Sequence, residues 1–223
     1  MKRIWLAGIS ILLFALTFYV MWTKYGGKYD YESLQLNQNI IERTLSNYQD
    51  KIEPLAKKYD LPSNYLLALI ALECSGRKVV PHRFESHVHS KLLKVKSGEL
   101  KNLENVESSN LKNADKQMLK ELASSWGPFQ LMGYKCFNIN VKLVDLKNGN
   151  SLESGVKWID KNYGELLRRG QFKDAFHLHN TGRKHPRFGP PRTYHADYVP
   201  KGLKYMDEIS AINNNPTSTG LVD

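Results

Sequence analysis

One stretch limits what this chain can fold into more than any other. Residues 61–76, LPSNYLLALIALECSG, are a run with no polar face that carries one acid, Glu73. Pro62 suits the first turn of a helix, where its missing N–H costs nothing and its φ is already helical, and Gly76 is the usual residue for stopping one. Leu66, Leu67, Leu69, Ile70, Ala71 and Leu72 cover every face of the roughly three turns between, so the helix is expected to be buried on all sides at the centre of a domain. Glu73 follows Leu69 by four positions and Ile70 by three, and shares a face with both. A carboxyl in such surroundings is partly desolvated, which disfavours its charged form and raises its pKa toward what a general acid needs near neutral pH. A Glu that simply reaches water at a helix end fits the same pattern, and this helix alone does not choose between the two.

The second constraint lies at the start of the chain. Lys2 and Arg3 precede an uncharged run from Ile4 to Trp22, and Lys24 closes it. As a helix this run crosses a hydrocarbon core of about 30 Å. No small-x-small cleavage site follows, so residues 1–25 are read as an uncleaved transmembrane signal anchor, the chain's membrane contact. Lys2 and Arg3 favour an inside N-terminus, with Lys24 and Lys28 weakening the bias. The expectation is a single-pass protein of the cell (inner) membrane whose remaining chain is extracytoplasmic, on the periplasmic side.

There are 32 Lys and Arg against 22 Asp and Glu, a formal net charge of +10. Such a chain favours polyanions, and outside the cytoplasm these are anionic wall polymers, peptide-stem carboxylates or acidic lipid head groups. A solvated basic surface without a specific partner is the plainer alternative. No RNP-like, zinc-finger or helix-turn-helix pattern points to nucleic acid, and no such partner is expected. His87-x-His89 and His177-x-His179 have metal-like spacing, yet no thiolate or carboxylate cluster completes a site, so no metal and no cofactor is expected. The absence of a nucleophile-elbow pattern argues against a Ser-His-Asp hydrolase. Cys74 and Cys136 either pair or remain two buried free thiols.

Along the chain, residues 26–47 read as a polar stalk or a loosely packed first helix. The folded domain is expected over residues 48–210, opening on Tyr48, Ile52, Leu55, Ala56 and Tyr59 at helical spacing. Residues 91–113 are charged and rich in Ser and Asn, and read as a solvent-facing insertion with at most short helices. A helix is expected over residues 116–123. Residues 124–136, SSWGPFQLMGYKC, then change the chain's character, with Gly127-Pro128 as punctuation and Phe129 to Met132 opening a new buried element. Helices follow from Ser151 to a stop at Gly170, over residues 172–179, and over residues 198–209. Between the last two lie the turn Asn180-Thr181-Gly182 and residues 183–195, RKHPRFGPPRTYH, too rich in Pro, Arg and His for regular structure. Residues 211–223 read as a disordered tail.

Four of these stretches together resemble the lysozyme-like lytic transglycosylases. Residues 61–76 are similar to that family's catalytic-glutamate helix, and Ser125-Trp126-Gly127-Pro128-Phe129-Gln130 resembles its Ser-x-Gly-x-x-Gln motif. His179-Asn180-Thr181-Gly182 resembles the Tyr-Asn-x-Gly turn, and Tyr198-Val199-Pro200-Lys201 the tyrosine-bearing helix that follows. Arg83-Phe84-Glu85-Ser86-His87 and the Ser-Trp-Gly-x-Phe-Gln-x-Met-Gly pattern are similar to the phage-type N-acetylmuramidase branch. The resemblance spans roughly residues 48–208 and implies a mainly α, α+β lysozyme-like fold. It also implies cleavage of the β-1,4 bond between N-acetylmuramic acid and N-acetylglucosamine, by a peptidoglycan N-acetylmuramidase or a lytic transglycosylase acting on peptidoglycan glycan strands.

Within that resemblance Glu73 matches the catalytic acid. Ser125 and Gln130 match positions lining the site beside it, while Asn180 and Tyr198 match residues that hold or face the sugar and the acid. The residue types suit a sugar, whose OH and N-acetyl groups need amides and hydroxyls and whose C–H faces need aromatic rings. Gln130 and Asn180 fit equally as turn or cap residues, and Trp126 and Phe129 read as core before sugar platforms. Glu85 is a candidate second acid or base; the other reading is a structural acid paired with Arg83 or His87. The muramidase resemblance pulls toward hydrolysis, the transglycosylase motifs toward a 1,6-anhydro product, and the balance leans slightly to hydrolysis. The chain departs from the pattern at Cys74, where Ser is usual, and at His179, where Tyr is usual. A catalytically silent peptidoglycan-binding module, working with other proteins of an envelope complex, is the alternative; a phage lysis enzyme with a releasable anchor is disfavoured by the bulk of the anchor's apolar side chains.

Overall fold

The computed structural model describes residues 39–214. The anchor expected over residues 1–25, the first part of the stalk and residues 215–223 of the tail lie outside the described residues. Among those described, no helix is long and apolar enough to cross a membrane. The architecture is mainly helical with a small sheet.

Helix α1 (Ile40–Tyr59) comes first and α2 (Ser63–Cys74) is the acid-bearing helix. Strand β1 (Arg83–Phe84) and helix α3 (Ser86–Ser97) follow, then a hairpin of β2 (Asn102–Leu103) and β3 (Val106–Glu107). A short 3-10 turn, Ser108–Leu111, leads to α4 (Lys116–Leu122), β4 (Ser124–Trp126) and β5 (Leu131–Met132). After a second 3-10 segment, Gly133–Ile139, come α5 (Leu143–Lys147), α6 (Ser151–Arg168), α7 (Phe172–Thr181) and α8 (Tyr198–Asn214). The sheet has the order β1-β4-β5, both pairings antiparallel, with Arg83 opposite Ser125 and Ser125 opposite Met132.

Helix α2 is the core element that its composition demands. Residues 65–70 are at most 0% exposed, and α1 and α8 pack on it from two sides. Two places differ from expectation near the chain's start and in its middle. Residues 40–47 are not a stalk: α1 begins at Ile40, because Ile41, Arg43 and Thr44 are buried against the end of α2, and only Asn and Gln around them made the segment look solvated. Residues 91–113 are mostly exposed, as expected of a solvent-facing stretch, but α3 runs to Ser97, and Leu92, Val95, Val106 and Leu111 are buried in the core beneath the charged exterior. Helix α8 also continues past Ile209 to Asn214.

Helix α1 has a specific task. The backbone turns left-handed at Ser75 and Gly76, ending α2 just after Glu73. At Gly76 any Cβ would lie 2.4 Å from Thr44 Oγ1 and 2.8 Å from its backbone nitrogen, so the close approach and the φ of +68° both require glycine. Arg43 Nε then donates to the Ser75 carbonyl at 2.7 Å and Asn47 Nδ2 to the Gly76 carbonyl at 2.9 Å. Side chains from the expected stalk thus satisfy carbonyls that the end of the acid helix leaves open.

Candidate active site

Glu73 sits in the last turn of α2 with its side chain 17% exposed, desolvated by the core yet open to solvent on one side. Burial pushes its carboxyl up from the ordinary 4.5 to about 7, against the opposing pull of a hydrogen bond from Tyr198 and the positive fields of Arg83 and Lys135. Tyr198, the first residue of α8, donates its hydroxyl to Glu73 Oε1. Burial and the neighbouring carboxylate hold the phenol well above its usual range, so it remains a donor. Gly202 lies one turn further along α8, where an added Cβ would come within 2.9 Å of both Leu72 and Phe176. The missing side chain leaves room for Leu72 of α2 and Phe176 of α7 against the turn of α8 that begins at Tyr198.

His179 approaches from α7, its Nε2 3.7 Å from Glu73 Oε1. Burial pushes this imidazole down to about 3, so the contact is between a neutral ring and a carboxyl, not an ion pair. Its Nδ1 is 2.6 Å from the Tyr163 hydroxyl and its Nε2 3.3 Å from the Phe129 carbonyl. A proton on Nε2 satisfies both, with Tyr163 donating to Nδ1. Tyr163 has non-helical backbone angles inside α6, and that kink accompanies a ring turned into the core, 2% exposed, to meet His179. His179 is thus braced by a tyrosine from α6.

Of the sheet residues, Ser125 Oγ donates to Gln130 Oε1 at 2.7 Å, and Gln130 Nε2 donates to the Gly127 carbonyl at 3.1 Å. Gln130 has φ +47°, an uncommon conformation for a residue with a side chain, and these bonds hold it there. Register places Ser125 opposite Arg83, whose field reaches Glu73. Glu85 is engaged elsewhere. Its Oε1 accepts from Arg83 Nε at 2.6 Å and Nη2 at 2.5 Å, and its Oε2 lies 3.6 Å from His87 Nδ1. Asn180 is exposed on α7, and its Oδ1 lies 3.4 Å from the Tyr194 amide. Phe129 is buried, while Trp126 is half-buried, stacks on His82 and donates from Nε1 to the Glu121 carbonyl.

One group at the site was not anticipated. Lys135, in the 3-10 segment after β5, is 14% exposed, places its ammonium 4.0 Å from the Trp158 ring and lies 3.9 Å from Glu104. Burial lowers its pKa while Glu104 and Glu73 raise it, and its charge lowers both Glu73 and His179. The signal in the sequence was a lone Lys between Tyr134 and Cys136 in an otherwise apolar run. Cys74 and Cys136 are both buried free thiols, each pushed up to about 11 by burial. Among the described residues no three His, Cys, Asp or Glu side chains group as a metal site would require.

No protein-family model matches the chain, and no curated protein matches it. Among solved structures it is similar to the crystal structure of the Burkholderia AP3 phage endolysin, at 18% identity over 73% of this chain and 70% of that one, with a TM-score of 0.51. Two chains that share so little sequence share an architecture: this one has a lysozyme-like fold.

Proposed function

We propose that the chain is a peptidoglycan glycosidase that cleaves the N-acetylmuramic acid–β-1,4–N-acetylglucosamine bond, with Glu73 as general acid. The observation that carries this reading is a single carboxyl held near pH 7 by burial, gripped on one oxygen by Tyr198 and still reachable from solvent. Tyr198 occupies Oε1, which leaves Oε2 to carry the proton that the leaving oxygen takes. As the proton departs, the carboxylate that forms keeps its hydrogen bond from Tyr198 and lies in the fields of Arg83 and Lys135. Neutral His179 fixes the surroundings without adding a charge that would draw the proton off too early. Ser125 and Gln130, locked to one another and to the Gly127 carbonyl, are read as shaping the wall of the cleft beside β1. The fold shared with a phage endolysin supports the same reading.

Glu85 is read as a structural acid, because the Arg83 guanidinium holds its Oε1 through both Nε and Nη2. Glu73 then works without a second carboxylate, and the sugar's own 6-hydroxyl is the nucleophile that fits best. The uncharged run at residues 4–22 and the net charge of +10 support a membrane-anchored enzyme that faces the wall outside the cytoplasm. Mass spectrometry of peptidoglycan incubated with wild type and with Glu73→Gln tests the proposal: new muropeptides with wild type alone support it. Wall binding by wild type without any cleavage would make the chain a binding module instead.

A further inference from the structure

Residues 183–195 take no part in the chemistry around Glu73, yet they are held in a definite shape. The holder is His177, 1% exposed in α7. Its Nε2 accepts the Arg192 amide N–H at 2.9 Å, so its proton is on Nδ1, which donates to the Arg183 carbonyl at 2.7 Å. One imidazole therefore ties together two arginines nine positions apart. Thr181 Oγ1 adds to the clamp by accepting the Arg183 amide at 3.1 Å. Pro186, Pro190 and Pro191 stiffen the segment between.

Beside the clamp lies an open recess of about 440 Å³ lined by His177, Thr181, Arg183, Lys184, Pro186 and Arg192. Three of those six carry a positive charge, and none of the three makes an ion pair with another described residue. All three are solvent-exposed, so together they present an accessible positive field to an anion that enters the recess. The loop also has a fixed relation to the acid: it leaves α7 after His179 and enters α8 at Tyr198, and both residues touch Glu73.

We propose that this recess is a carboxylate-binding pocket for the acidic peptide stem of the glycan. This rests on the glycosidase reading, since the stem is joined to the muramic acid that the cleft would hold. Arg183 and Arg192 are suited to grip a carboxylate with paired N–H groups, and His177 holds their two backbones beside one another. An anionic lipid surface would be met by a flat array of cations, whereas here they line a recess with room for a peptide group.

The test is calorimetric binding of the full-length chain, in detergent, to two stem tetrapeptides of identical sequence, one with free carboxylates and one with every carboxylate amidated. The free acid is expected to bind at least about tenfold more tightly, with the gap narrowing as salt is added. Arg183→Gln combined with Arg192→Gln, its fold checked by circular dichroism, should remove most of that preference. Equal binding of the two peptides by wild type overturns the pocket, and this comparison needs no variant. So does an undiminished preference in the folded double variant, or binding to anionic lipid vesicles but to neither peptide. Glycan cleavage is scored separately: a stem preference without cleavage overturns the glycosidase and leaves the pocket standing, and cleavage without a stem preference does the reverse.

Discussion

The Tyr198 hydroxyl donates to Glu73 Oε1 across 125 residues of sequence, tying the first residue of α8 to the last turn of α2. The bond stabilises the carboxylate and so lowers a pKa that burial raises. Tyr198→Phe removes the donor and keeps the ring. Glu73 should then hold its proton to higher pH, and the basic limb of kcat/KM, which reports loss of that proton, should move upward. kcat should fall by about tenfold or more as the acid loses its orientation. A basic limb that stays put or moves down would show that the bond does not act on the working acid.

Glu73→Gln should abolish glycan cleavage, a loss of roughly 10²- to 10⁴-fold for a general acid. The same variant has a stability signature. Folding raises this carboxyl from 4.5 to about 7, so the folded state binds more protons than the unfolded one between those values. Stability is therefore lost as pH rises through that window, by on the order of 3 kcal/mol once Glu73 is fully charged. Glutamine never ionises and escapes this loss. Denaturant titrations should show Glu73→Gln gaining on wild type between pH 4 and pH 8, and a constant difference would remove the case for a desolvated acid.

Lys135 acts on the same proton from the other side. Its charge lowers both Glu73 and His179. Lys135→Met keeps apolar bulk against Trp158 and removes the charge. The basic limb of activity should move to higher pH, and the His179 ring, followed by NMR, should protonate at higher pH than in wild type. Unmoved titrations of both groups would make Lys135 a packing residue.

Much of this site was legible because its residues stand out locally. Glu73 is one acid in an apolar helix, and Tyr198 opens a helix after an irregular segment. Helices α2 and α6 were readable for the same reason, α2 from its unbroken apolar run between Pro62 and Gly76 and α6 from its periodicity up to Gly170. The rest depends on what folds against what. Arg43 and Asn47 look like stalk residues until the carbonyls of Ser75 and Gly76 are brought beside them. Val88, Leu92 and Val95 form a stripe on α3, but the Lys and Ser between them dominate composition over so short a span. Lys135 and Tyr163 owe their roles to desolvation and to a helix kink, neither of which has a sequence pattern of its own.

Gly202→Ala tests whether helix crossing controls the chemistry. The new methyl would meet Leu72 and the buried ring of Phe176 at 2.9 Å. The end of Leu72 can turn aside but the buried Phe176 ring on α7 cannot, so relief requires α8 to shift off α7, at a cost of about 1–3 kcal/mol. Tyr198 moves with it, so the basic limb should shift upward as in Tyr198→Phe while the melting temperature falls. A lower melting temperature with an unchanged pH profile would separate the crossing from the hydrogen bond.

Glu85 is where the two outcomes of the proposed reaction can be told apart. An inverting hydrolase needs a carboxylate roughly 6.5–9.5 Å from the acid to activate water, and that base must have an oxygen free to take a proton. Glu85 has its Oε1 on the Arg83 guanidinium, gripped by both Nε and Nη2, which ties the carboxylate to β1. Its amide donates to the Ala123 carbonyl beside β4, so it also sits where β1 passes into α3 and helps place Arg83 near Glu73. Glu85→Gln keeps the shape and one acceptor for Arg83. On the structural reading the variant retains activity within about tenfold of wild type, and the products of both carry 1,6-anhydromuramic ends. Reducing muramic acid ends from wild type, together with activity lost in a folded Glu85→Gln, would make Glu85 the base and the enzyme a hydrolase.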